Sequence, residues 1–145
     1  MSLHLIKLCV GVESIQDLRD YIGANESLYK SRGMIYEQTH TTRMFPKKVD
    51  ELLDGGSMYW VIKGQLCCRQ KLLNLKQFTD SEGINRCRIF LDHEVIAVEP
   101  RPYRPFQGWR YLDPKDAPRD IGEGAKGIEE MPESLRRELS SLGLL

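Results

Sequence analysis

The middle of the chain carries the feature that most constrains its fold, a series of β-prone runs separated by short turns. Between residues 57 and 99, stretches rich in β-branched and aromatic residues alternate with turn signals, and the dipeptide Lys63-Gly64 marks a hairpin. The stretch "INRCRIFLD" alternates cleanly between two faces: Cys87, Ile89 and Leu91 on one, Arg86, Arg88 and Phe90 on the other. These signals predict a mostly antiparallel sheet.

The N-terminal part of the chain predicts a strand, a helix and a second strand. The apolar run of residues 3–10 indicates a buried strand, and β-branched and aromatic residues indicate another around residues 34–44. Between them, a helix is expected to begin after Ser14 as its N-cap. We expect it to end near Gly23, which leaves residues 24–33 as a loop.

The order of elements predicts one α+β domain. A chain of 145 residues can bury a core of ordinary size without disulfides or metals. Pro46 and Gly55 delimit a second, short helix. Residues 1–121 are therefore expected to form a small, mostly antiparallel pseudobarrel with short helices at its rim. Residues 122–145 are expected to form a Gly-rich linker and a C-terminal amphipathic helix.

Composition and cysteine usage favour a cytoplasmic protein. The N-terminus lacks the pattern of a signal peptide, and no apolar run approaches the roughly 18 residues of a membrane span. The four cysteines, Cys9, Cys67, Cys68 and Cys87, are expected to be reduced thiols in the core. Because adjacent strand residues point to opposite faces, Cys67 and Cys68 should not clasp one metal ion. The sequence therefore predicts no metal and no cofactor.

The motif survey does not favour an enzyme. The "GEGAKG" of residues 122–127 spells a dinucleotide-binding pattern, but it lacks the strand before it and the helix after it that such a loop requires. The "GGSMY" of residues 55–59 approaches a nucleophile elbow, but Tyr59 occupies the position that needs glycine. No catalytic residue is assigned. A small hydrolase or transferase therefore ranks third, after the two binding hypotheses given below.

The stretch "RPYRPFQGWRYL", residues 101–112, carries the leading hypothesis. The net charge of the chain is zero, but residues 40–112 carry 12 Lys and Arg against 8 Asp and Glu. Arginines interleaved with aromatics offer phosphate contacts and stacking platforms, as single-stranded nucleic acid requires. We predict phosphate contacts from Arg43, Lys47, Arg69, Arg104 and Arg110, and base stacking on Tyr103, Trp109 or Tyr111.

Two alternatives to this hypothesis stay open. Trp109 and Phe106 could be core residues whose edges are covered by arginine stems. The same aromatic surface could instead bind another protein, which makes a protein-interaction domain the second hypothesis. We expect Phe106 and Leu112 to pack inward, with Arg104 and Arg110 exposed. Trp60 shares a strand face with Met58 and Ile62 and is expected in the core; the oligomeric state is not readable.

Several stretches resemble one family of short, chiefly alphaproteobacterial proteins, domain-of-unknown-function family 1489. They are "LHLIKLCVGV", "TTRMFPKKVDELLDGGSMYWVIKG", "RCRIFLD", "FQGWRYL" and "DAPRD". This resemblance implies no activity. A weaker one, in the layout of "HLIKLCVGVESIQDL" and of residues 40–75, is to EVE domains. It implies a PUA-like barrel and, as partner, RNA or a modified nucleotide.

Overall fold

The computed structural model describes residues 2–121, which form a sheet with two α-helices. The predicted linker and C-terminal helix, residues 122–145, lie outside the described residues. The elements, in chain order, are β1 His4–Leu8, α1 Ile15–Ser31, β2 Gln38–Thr42, α2 Val49–Leu53, β3 Ser57–Ile62, β4 Gln65–Thr79, β5 Asn85–Leu91, β6 Ile96–Pro102, β7 Trp109–Leu112 and a 3-10 turn Pro114–Asp116. Within this part of the chain, no helix is long and apolar enough to span a membrane.

The seven strands form one mixed, open sheet. Their order is β2-β5-β4-β3-β1-β7, and β6 pairs with β4 outside this path. The long strand β4 makes the arrangement possible, because its first half pairs with β3 and β6 and its second half with β5. Every pairing between these strands is antiparallel except that of β1 with β3, which is parallel. The predicted α+β class and the stranded character of residues 57–99 are confirmed. The pseudobarrel is not confirmed, because the sheet stays open.

The hairpin predicted at Lys63-Gly64 is confirmed. β3 ends at Ile62 and β4 begins at Gln65, so the turn has two residues. Both have positive φ, 48° at Lys63 and 76° at Gly64, which is the geometry that a type I′ turn requires. This turn fixes the register in which Ile62 faces Gln65 and Trp60 faces Cys68.

Helix α1 starts where the sequence indicates and runs further than expected. The Ser14 side chain accepts a hydrogen bond from the Asp17 backbone N–H at 3.0 Å, as an N-cap does. The expected end at Gly23 and the loop over residues 24–33 are wrong, because the helix continues to Ser31. One exposed glycine costs a helix only about 1 kcal/mol, which the flanking turns can absorb.

Helix α2 is short, as predicted, and the backbone packs closely around Gly56 just after it. The expectation that Pro46 occupies the first helical position is wrong, because the helix begins at Val49, after Lys48 as its N-cap. Gly55 follows the helix in the predicted left-handed conformation, with φ +86°. At Gly56, an added Cβ would lie 2.2 Å from the Leu3 carbonyl oxygen and 2.3 Å from that of Leu52. Only glycine therefore fits where the chain passes from α2 into β3.

The core lies on both faces of β3. Met58, Trp60 and Ile62 belong to the larger cluster, which also contains the inner side of α1, and the predicted core position of Trp60 is confirmed. Tyr59 and Val61 point into a smaller cluster with Phe106 and Leu112. The predicted alternation in β5 is also confirmed, since Cys87, Ile89 and Leu91 are buried.

The expectation that Cys67 and Cys68 point to opposite faces is wrong. Trp60 pairs with Cys68 and Val61 with Leu66, so Cys67 is an extra residue in β4, a β-bulge. The bulge interrupts the alternation, and both thiols lie in the larger core cluster. Cys67 is 3% exposed and Cys68 is fully buried, and the thiol contact between them raises the pKa of Cys68 together with burial. All four cysteines are free thiols.

Candidate functional site

The aromatic stretch of residues 101–112 divides into a strand end, a loop and the edge strand β7. β6 continues two residues beyond Pro100, to Pro102, and β7 begins at Trp109. Phe106 is 9% exposed and Leu112 is 7% exposed, so the prediction that both pack inward is confirmed. Arg104 and Arg110 are exposed, as expected.

The alternation of β7 places Trp109 and Tyr111 on one face, where they contact the segment that follows β2. The Trp109 indole Nε1–H donates to the Met44 carbonyl oxygen at 2.8 Å. The Tyr111 hydroxyl oxygen accepts from the backbone N–H groups of Lys47 at 3.0 Å and Lys48 at 3.2 Å. The two rings meet edge to face at 4.9 Å. Both aromatics therefore hold β7 against residues 44–48.

Arg110 lies on the opposite face of β7 and belongs to a different surface. Its guanidinium sits over the Phe106 ring, 4.5 Å from the centroid, and Tyr103 packs against the same ring at 5.5 Å. Arg104 is in the loop between β6 and β7. The fold therefore separates Arg110 and Tyr103 from Trp109 and Tyr111, although all four were predicted as parts of one surface.

Arg69 is held by the protein itself in a shallow hollow of about 370 Å³, here called the Arg69 hollow. Its Nε and Nη2 donate to the two carboxylate oxygens of Asp120 at 2.8 and 2.7 Å, and its Nη1 donates to the Ser57 hydroxyl at 2.9 Å. The hydrogen bonds from Arg69 lower the pKa of Asp120. Such a bidentate pair uses the geometry with which arginine recognises phosphate.

The same hollow contains His4 but no nucleophile paired with a base. The His4 Nδ1 accepts from the Ser57 backbone N–H at 3.0 Å, whereas the Ser57 hydroxyl is bound to Arg69. Burial, and then the charge of Arg69, lower the pKa of His4. A catalytic serine needs its hydroxyl within hydrogen-bond reach of the base nitrogen. The residues of this hollow do not meet that requirement.

A second concave surface gathers positive charge, and we call it the cationic cleft. It measures about 310 Å³ and lies between β1, the end of β2, the start of β5 and the loop before β7. Lys7, Arg43, Arg86 and Trp109 line it. Arg86 Nε binds Asp80 at 2.6 Å. In residues 2–121, no carboxylate forms an ion pair with Lys7 or Arg43.

The chemistry of the cationic cleft suits an anion next to a planar group. Burial lowers the pKa of Lys7, because desolvation disfavours its charged form. An anionic ligand would offset that desolvation. The half-buried Trp109 ring forms one wall, and its orientation is fixed by the hydrogen bond to Met44. Thr41 adds an exposed hydroxyl that can bind an oxyanion, whereas the Thr42 hydroxyl donates to the Met44 carbonyl oxygen at 3.2 Å.

The structure brings together only part of the predicted set. Arg43 and Trp109 line the cleft, and Lys47 lies just beyond it beside Tyr111. Lys7 and Arg86 were not predicted, although a lysine inside an otherwise apolar strand is a signal that could have identified the first. Within residues 2–121, no group of three or more His, Cys, Asp or Glu side chains is placed to hold a metal ion.

Comparisons with known proteins identify the family without adding an activity. No curated protein and no solved structure matches the chain. The weaker resemblance to EVE domains is therefore not confirmed. A family model described as "Protein of unknown function (DUF1489)" matches residues 5–145. Because this match covers nearly the whole sequence, the chain belongs to the DUF1489 family.

Proposed function

We propose that the protein binds single-stranded nucleic acid, with a backbone phosphate in the cationic cleft. The observation that carries the proposal is the charge balance of this cleft. Three cationic side chains meet there, and among the described residues only Arg86 has a carboxylate partner. Lys7 and Arg43 are thus available to replace the counterions of a phosphate, which is the main source of affinity for nucleic acids.

Trp109 provides the second element of the proposed interface, a stacking surface next to the phosphate. Stacking of one base on an aromatic side chain contributes about 1–3 kcal/mol to binding. Because the indole N–H is bonded to Met44 and the ring contacts Tyr111, little side-chain freedom is lost when a base stacks. Stacking is tolerant of sequence, so we expect weak base preference at this position.

Lys47 and Lys48 extend the basic surface beyond the cleft. Both are exposed, and the Lys48 ammonium lies 5.7 Å from the centroid of the Tyr111 ring. A nucleic-acid strand that leaves the cleft would pass these two lysines. Arg104 and Arg110 would contact the nucleic acid only if it continued around the edge of β7. Arg69 would have to release Asp120 before it could bind a phosphate. We therefore expect smaller roles for these three arginines.

The layout resemblance to EVE domains favours RNA or a modified nucleotide over DNA as the partner. We place the open sheet near the PUA-like folds on this analogy, in which a strand end bearing an arginine, here Arg43, follows the first helix. The proposal includes a cytoplasmic location, where thiols stay reduced and RNA is abundant. The analogy concerns layout, and the charge balance of the cleft supports the proposal independently of it.

Fluorescence anisotropy with a labelled single-stranded RNA oligonucleotide at low salt tests the proposal. Arg43→Gln removes a cleft cation without changing any ion pair and should weaken binding about tenfold. Arg32→Gln is the matched control, because Arg32 is an exposed cation at the end of α1 that does not line the cleft. Equal losses in the two variants, or no binding by the wild type, would contradict the proposal; the latter result would favour a protein-interaction domain.

A further inference from the structure

An apolar groove runs beside helix α1, and we call it the α1 groove. It measures about 340 Å³ and lies between the loop after β1, the helix α1 and the strand β2. Most of its lining is apolar, from the side chains of Cys9, Val10, Val12, Leu18, Tyr21 and Trp60. An amphipathic helix can bind in a groove of this kind, because apolar residues at i, i+4 and i+7 fill it from one face.

Large apolar side chains at this groove are exposed to solvent. Val10 is 85% exposed and Tyr21 is 57% exposed, and both line the groove. Leu28, 45% exposed, lies seven residues after Tyr21 on α1, so the two share one face of the helix about 10 Å apart. The residues of α1 that pack on the core form a different stripe. A run of exposed apolar residues beside a groove is typical of a surface that another segment covers.

The chain beyond the described residues carries a stripe that matches this surface. In "PESLRRELSSLG", residues 132–143, Leu135, Leu139 and Leu142 fall at i, i+4 and i+7 of a predicted helix. These leucines span about 10 Å along a helix, equal to the separation of the two exposed side chains on α1. A helix of about 12 residues is only marginally stable alone in water, so it needs a surface to pack against.

The described chain ends close enough to α1 for this segment to reach the groove. The backbone N–H of Ile121 donates to the Ala97 carbonyl oxygen at 3.0 Å in β6. Arg19 of α1 donates to a backbone carbonyl oxygen just before the same strand, at 2.9 Å. Arg19 and Tyr21 are about 200° apart around the helix, so the groove lies on the far side of α1. Residues 122–131 can extend about 33 Å, whereas a helix with its side chains is about 10–12 Å wide.

We propose that residues 132–145 form an amphipathic helix that docks in the α1 groove of the same chain. Its leucine stripe covers Val10, Tyr21 and Leu28, and its polar side faces solvent. The DUF1489 match continues to residue 145, so the segment belongs to the part of the chain that the family shares. This inference does not depend on nucleic-acid binding in the cationic cleft.

Hydrogen exchange of the intact protein, followed by mass spectrometry, tests the docking. The backbone amides of residues 135–142 should exchange about tenfold more slowly in the wild type than in Val10→Glu with Leu28→Glu, because two carboxylates in the interface oppose docking. Leu73→Glu is the matched control. Leu73 is also an exposed apolar residue, but it lies on β4 and does not line the groove. Protection of residues 135–142 should be unchanged in this variant.

A second pair of variants changes the docking segment instead of the groove. Leu135→Glu with Leu139→Glu places charge on the leucine stripe and should remove the protection to the same extent. Ser140→Glu with Ser141→Glu adds the same charge on the other side of the predicted helix and should leave the protection intact. These variants keep the test decisive if thermal unfolding shows that the groove variant does not fold.

The exchange rates and the oligomeric state together decide the outcome. Fast exchange of residues 135–142 in the wild type overturns the proposal, and so does protection that persists in a folded Val10→Glu, Leu28→Glu variant. Analytical ultracentrifugation shows which chain supplies the helix. A monomer with a protected segment supports docking within one chain. A dimer that loses the protection when diluted to monomer assigns the segment to a second copy and refutes it.

Discussion

Arg43 and Arg69 were both predicted to contact phosphate, and the fold gives them opposite environments. In the Arg69 hollow, the guanidinium donates to Asp120 and Ser57, so its charge is neutralised within the protein. In the cationic cleft, Arg43 and Lys7 have no carboxylate partner in residues 2–121. The comparison teaches that the availability of a cation, rather than its presence beside aromatic residues, indicates where an anion can bind.

The largest effect is expected at Trp109, which links the cleft to the core. Trp109→Ala removes a half-buried ring and its hydrogen bond to Met44, and we expect it to lower the free energy of unfolding by about 2–4 kcal/mol. Urea denaturation measures the change. Trp109→Phe, which keeps a ring but loses the hydrogen bond, is the control and should cost about 1 kcal/mol. Wild-type stability in Trp109→Ala would mean that the ring has no structural role.

The second effect is a pH dependence that originates beside the cleft, at His40. Its pKa is about 4 in the folded protein and near 6.5 when unfolded, so the unfolded chain binds more protons between these values. Stability should therefore fall as the pH decreases from 6.5 to 4, by roughly 2 kcal/mol from this group. Denaturation of wild type and His40→Phe across this range isolates the effect.

His4 makes a comparison of the two proteins necessary. Its pKa is also lowered, so His4 contributes to the pH dependence of stability equally in the wild type and in His40→Phe. Only the difference between wild type and variant belongs to His40. If His40→Phe loses stability in acid as steeply as the wild type, His40 does not have the lowered pKa that its burial implies.

The third prediction tests the contrast between Arg69 and Arg43 directly. Arg69→Met leaves the Asp120 carboxylate and the buried Ser57 hydroxyl without their donor, and we expect a loss of about 1–2 kcal/mol, limited by partial exposure of the pair. Arg43→Met should change stability by less than about 0.5 kcal/mol. Thermal unfolding of both variants provides the measurement. Similar losses at the two positions would remove the distinction between a satisfied and an available arginine.

The smallest effect is expected at Asp80, the carboxylate that pairs with the cleft residue Arg86. Asp80→Asn removes the negative charge that pairs with Arg86 and should strengthen RNA binding about two- to threefold at low salt. The asparagine oxygen can still accept from the Glu82 and Ile84 backbone N–H groups, which Asp80 now holds at 2.9 Å. Anisotropy titration measures the change; unchanged or weaker binding would argue against a cleft that selects anions.

Local sequence signals predicted most of the strands but not the pairing of β1 with β3. The turn at Lys63-Gly64 and the alternation in β5 depend on neighbouring residues, and both are confirmed. The parallel pairing of β1 with β3 depends on a long crossover connection, which leaves no local pattern. The bulge at Cys67 depends on packing in the core, which outweighs local preferences. The turns of α1 beyond Gly23 bury no residue, and the helix continues there because one exposed glycine is too weak a signal to end it.

The candidate site was predictable in its residue types but not in its grouping. Arg43 and Trp109 were predicted, yet Lys7 and Arg86 reach the same cleft from strands far apart in sequence. Arg69 is neutralised by Asp120, a partner 51 positions away. Which residues meet across such separations in sequence depends on the order of strands in the sheet. That order includes the parallel pairing of β1 with β3, which no sequence pattern predicted.

The central claim is that the cationic cleft, and not the arginine surface around Phe106, contacts phosphate. The salt dependence of RNA binding tests it in two matched double variants. Lys7→Gln with Arg43→Gln should reduce the slope of log affinity against log salt by about 1.4, the value for two contacts to a single strand. Arg104→Gln with Arg110→Gln should leave the slope nearly unchanged. The opposite pattern, with the slope lost only in the second variant, would contradict the account.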